Sequence, residues 1–117
     1  MKFKLLCEKT ETITGISVHC LDDSFKNRRV RETVEKRIEK FLLKNITKSF
    51  DDITEKYLGD LVKDSEYVGG PISNFSKKES TDYDNSIRKV VVFWLFGIYE
   101  DRTYNFDMPC KVTVIFA

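Results

Sequence analysis

His19 is the one histidine in the chain, and Ser17 stands two residues before it. On a strand the two would share a face, the minimum for a serine nucleophile beside an imidazole base. Adjacent same-face positions on one strand seldom give that geometry, and no Gly-x-Ser-x-Gly elbow occurs. His19 therefore reads as a surface residue. A zinc site would need Cys7, His19, Cys20 and Cys110 to converge, with no Cys-x-x-Cys pair to anchor it. The odd cysteine count, the wide spacing and the early return of charge at Glu8, which interrupts any signal-peptide core, argue against a disulfide framework. Buried reduced thiols are the expectation. The acid pairs Asp22/Asp23, Asp51/Asp52, Asp82/Asp84 and Glu100/Asp101 fall at expected caps, turns and loop, where carboxylates serve local hydrogen bonding. Gly69-Gly70-Pro71 fits neither phosphate-binding glycine pattern. The reading is a non-enzyme without metal or cofactor.

Charge carries a stronger signal. Between residues 26 and 48 there are nine basic residues and three acidic ones. On a helix, Lys26, Arg29, Lys36, Arg37, Lys40 and Lys44 gather on one flank of an apolar stripe, and Glu32, Glu35 and Glu39 on the other. Basic residues in the first turn oppose the helix dipole, so the pattern invites an acidic partner or a phosphate backbone. Residues 50–66 carry six acids and two bases. If the two segments pack side by side, the second neutralises the first. The net charge of +1 therefore excludes a globally basic nucleic-acid coat but not a local basic site.

These residues sit on elements that hydrophobic period defines. Residues 2–9 and 16–21 alternate and read as an antiparallel hairpin. Asp22, Asp23 and Ser24 are N-cap candidates for a helix over 25–45, marked by Val30, Val34, Ile38, Phe41, Leu42 and Ile46. A second helix is expected over 51–65, with Asp52 and Glu55 as a capping box and Gly59 as a weak point. Residues 68–86 read as a long polar loop. Residues 87–99 form the strongest strand. A strand region over 104–116 follows, interrupted by Pro109, which implies an edge position or a bulge. The result is a single α+β domain over 1–117. It has a mainly antiparallel four-stranded sheet in the order β-β-α-α-loop-β-β, with two helices on one face.

Two helices cover one face of such a sheet, yet strand 87–99 is apolar on both. Leu6, His19, Leu21, Phe93, Leu95 and Ile115 are the expected members of the second face, which would have an apolar centre and a polar surround. The 68–86 loop, a second copy or a partner would cover it. The functional expectation is a small binding protein acting through protein–protein contact, with a homodimer as one form. The alternatives are a nucleic-acid-binding protein using the basic helix 26–48, and a small enzyme using a cleft between the long loop and the sheet. The near-absence of Ala and the absence of Gln suggest an AT-rich coding sequence, and with it a viral or phage modulator of a host protein. The default location is cytoplasmic, in the host cytoplasm for a viral protein. No run reaches the roughly 18–20 apolar residues of a membrane helix.

Overall fold

A computed structural model describes residues 13–21, 28–81, 87–100 and 105–116. The expected strand at 2–9, with Leu6 and Cys7, lies outside these residues, as do Asp22, Asp23, Ser24 and Lys26. The chain runs β1 (Ile13–Cys20), α1 (Arg28–Asn45), a 3-10 turn (Phe50–Asp52), α2 (Glu55–Lys63), β2 (Val68–Thr81), β3 (Ile87–Glu100) and β4 (Asn105–Phe116). The strands form one antiparallel sheet in the order β1-β4-β3-β2. The class is α+β as expected, with a different order: among the described residues, one strand precedes the helices and three follow them.

The largest correction concerns the expected loop. Residues 68–81 are a 14-residue edge strand paired with β3 from Val68↔Gly97 to Thr81↔Ile87. Its sequence conceals this because only Val68 and Ile72 are buried, with Phe75 packed at the margin of the core. Most of its other side chains face water, so no alternation develops. Backbone bonding to the apolar template of β3 supplies what the side chains do not. β2 is also irregular. Its register breaks between Gly69 and Ser73 and again between Ser73 and Ser76, Pro71 lies within the first break, and Gly70 and Asn74 both have positive φ.

Pro109 is likewise not on an edge, because β4 lies between β1 and β3. The Pro109 carbonyl accepts a hydrogen bond from the Leu21 N–H at 2.8 Å, at the end of β1. The carbonyl and nitrogen of one strand residue point to the same side. The ring therefore removes only one bond, where β1 is ending.

The helices cover the face formed by Val91, Phe93, Leu95, Val112, Val114 and Phe116. α1 lies against β1 and β3 through Val34, Ile38 and Leu42, while α2 lies against β2 through Leu58 and Val62. The capping box expected at Asp52 is replaced by a later start. Thr54 is the N-cap of α2, its hydroxyl accepting from the Tyr57 N–H at 3.0 Å. Phe50 and Ile53 are both buried, and the 3-10 turn between the helices places them there. The Phe50 ring meets Phe116 edge-on, at 5.9 Å between centroids.

The cysteines give a second correction. Cys20 and Cys110 face each other across β1 and β4, and a disulfide joins them. Their wide sequence separation misleads because the first and last described strands are neighbours in the sheet.

Candidate binding surfaces

β3 alternates strictly, so its two apolar sets part company. Phe93 and Leu95, expected on the second face, are 0% and 2% exposed beneath the helices. The outer set is Val90, Val92, Trp94, Phe96 and Ile98. Both helices and the 3-10 turn lie on the other side of the sheet, and residues 68–81 extend the sheet instead of folding over it. Residues 68–81, expected as part of a loop over this face, are thus sheet.

Strand register assembles the outer face in rows. Leu21, Pro109 and Phe96 lie across one row, and His19, Lys111, Trp94 and Ser73 across the next. Ser17, Thr113, Val92 and Ser76 follow, then Gly15, Ile115, Val90 and Lys78. Arg88 stands opposite Ser80 beyond them. Phe96 is 46% exposed and Leu21 48%. The centre is aliphatic and aromatic. The charged positions in these rows are Lys111 and Lys78, with Arg88 beyond them, and no carboxylate shares the rows. Of the expected face residues, His19, Leu21 and Ile115 are brought together here. Sequence alternation divides β3 into its two sets. Which set faces outward depends on its register with β4, which the alternation of β3 alone does not specify.

Ser17 and His19 share the outer face, opposite Thr113 and Lys111. His19 reaches round the edge of β1, with its Nδ1 3.8 Å from a Glu35 carboxylate oxygen. The same oxygen accepts the Cys20 N–H at 2.8 Å. Glu35 thus occupies an outward backbone donor of β1. Among the described residues, no cluster of three or more His, Cys, Asp or Glu is placed to hold a metal ion. No helix among them is long and apolar enough to cross a membrane.

The basic helix is the second surface. Arg29, Lys36, Lys40 and Lys44 are exposed along α1. At 100° per residue they fall within an arc of about 80°, centred opposite the buried stripe of Val34, Ile38 and Leu42. Arg37 lies apart from this ridge, its guanidinium 5.3 Å from the centre of the Tyr67 ring. The two line an open cleft of about 280 Å³ with Glu66 and Ile98. Arg28 pairs with Glu32 and Lys63 with Asp60, and His19 stands beside Glu35. None of them joins Arg29, Lys36, Lys40 or Lys44 to the acidic 50–66 segment, whose helix leans on β2.

Two further lysines act within the fold. Lys77 Nζ donates to the carbonyls of Asp51 (3.3 Å) and Ile53 (3.1 Å) and lies 4.6 Å from the centre of the Phe50 ring. Lys89 approaches the same ring at 5.7 Å. Reading 68–86 as a loop hid this, since the inward position of Lys77 follows only from its pairing with Val91.

Comparison of the chain with protein-family models, with curated proteins and with solved structures found no match.

Proposed function

We propose that this chain is a non-catalytic binding module that docks a different protein on the outer face of its sheet. The observation carrying this reading is the unbroken outer column of β3, Val90 to Ile98, which no described element covers. An apolar surface of this kind, edged by polar groups, marks an interaction site. The edge charges select the partner. Lys111 and Lys78 suit an apolar patch bordered by Asp or Glu. Face-to-face pairing of two copies would gather these cations around one apolar centre, which disfavours the homodimer. The disulfide favours an oxidising compartment over the cytoplasm expected from the sequence.

The test is site-specific photo-crosslinking in the native cell context, with the crosslinker at position 96 in one protein and at position 40 in another. The expected product joins position 96 to one protein, through a segment where apolar residues lie beside acids. Trp94→Asp should abolish it. A product of twice the chain's mass, or crosslinking from position 40 alone, would overturn the assignment.

A further inference from the structure

We propose that the outer ridge of α1 is a nucleic-acid site that grips a phosphate backbone, independent of the outer sheet face. Arg29, Lys36, Lys40 and Lys44 stand on the side of the helix turned away from the sheet. Lys36, Lys40 and Lys44 follow one another at four-residue steps, so each lies next to a like charge, an arrangement that weakens an isolated helix. The first turn of α1 contains no acid, and Arg28 and Arg29 stand there against the positive end of the helix dipole. Arg28 is paired with Glu32 at 3.4 Å. Among the described residues, no ion pair supplies the three lysines or Arg29 with a counter-charge. The fold thus retains a row of mutually repelling charges on a helix whose packing does not use them. A polyanion converts that repulsion into attraction.

The spacing favours a nucleic acid over an acidic protein. Four residues of helix advance about 6 Å, and Arg29 to Lys44 spans about 22 Å. That length covers about six successive phosphates of one strand, at 3.4 Å each along a duplex axis. Lys36, Lys40 and Lys44 form a ladder at one-turn intervals, with Arg29 two turns before it, which suits a chain that repeats its charge. The exposed apolar groups gather mainly on the opposite side of the molecule, on the outer sheet face, and Leu43 stands alone among large exposed apolar residues described on α1. The net charge of +1 means that binding must come from this ridge and not from the protein's overall charge.

The test measures binding of the full chain to a labelled 20-base-pair DNA duplex and to a 20-nucleotide single strand, by fluorescence anisotropy from low to physiological salt. The duplex and single-strand arms show which form of the backbone is gripped, and binding to either supports the site. The plot of log affinity against log salt should have a slope of about −3 to −4, as four cations on phosphates require. Lys36→Gln, Lys40→Gln and Lys44→Gln together should weaken binding at low salt at least tenfold and flatten the slope to about −1. Replacing the same three lysines with Arg should retain it. Circular dichroism on both variants separates loss of binding from loss of the helix. No binding at low salt, binding unchanged in the Gln variant, or equal binding to polyglutamate would overturn the proposal. None of these results bears on the sheet-face partner, since Trp94→Asp leaves the ridge intact.

Discussion

Gly97 on β3 lies directly under Val34 on α1: a β-carbon at Gly97 would stand 2.6 Å from Val34 Cγ1. The same carbon would be 3.0 Å from Ile38 Cδ1 and 3.1 Å from Cys110 Sγ. The helix therefore approaches the sheet at a point where only glycine fits. Gly97→Ala should lower stability by about 1–3 kcal/mol through overpacking, and Gly97→Val by more. Urea unfolding of the two variants checks this. A stability unchanged by Gly97→Val would mean that α1 does not sit there.

The two faces of β3 should respond differently to truncation. Phe93→Ala removes a fully buried ring and should cost about 3–5 kcal/mol. Phe96→Ser, three positions away on the outer face, should cost less than about 1 kcal/mol while removing partner binding. Denaturant titrations of both variants decide the orientation of the strand.

With Cys20 and Cys110 joined, the oxidised protein should titrate with two fewer thiols after denaturation than the reduced protein. Reduction should lower stability by about 2–4 kcal/mol, because the bond closes a loop with a sequence separation of 90. Thiol titration and paired thermal melts, with and without reductant, check both expectations. Cys20→Ser should melt like the reduced protein and give no further response to reductant.

Thr54→Ala should cost about 1 kcal/mol by leaving the Tyr57 N–H without its cap, and Thr54→Ser should restore most of it. Guanidinium unfolding of the pair measures the difference. Lys77→Met tests the neighbouring junction: it keeps the hydrocarbon stem over Phe50 but removes the bonds to the Asp51 and Ile53 carbonyls. A loss of about 1 kcal/mol is expected.

Elements that bury a regular stripe were legible from sequence. α1 announces itself through Val34, Ile38 and Leu42, and β3 through a run of apolar residues with few equals in the chain. β2 was not legible, because an edge strand held by backbone bonds and two buried aliphatics leaves its other positions free to be polar. The disulfide was hidden for a topological reason: β1 and β4 are remote in the chain and adjacent in the sheet. The two candidate surfaces divided along the same line. The α1 ridge follows from helical period alone, and the structure leaves it on the exposed side. The outer sheet face required a register, and without one Phe93 and Leu95 took the places of Trp94 and Phe96.

The breaks in β2 have a consequence for how the protein meets other chains. A long regular outermost strand offers its unpaired N–H and C=O groups as a mould on which further copies can lengthen the sheet without limit. Here the proline at 71 and the turned backbone at Gly70 and Asn74 spoil the mould along its first half. Over the second half, Lys77, Lys78 and Glu79 set charge on both sides of the strand. Fibrous growth from this side is blocked by the strand's own shape and charge.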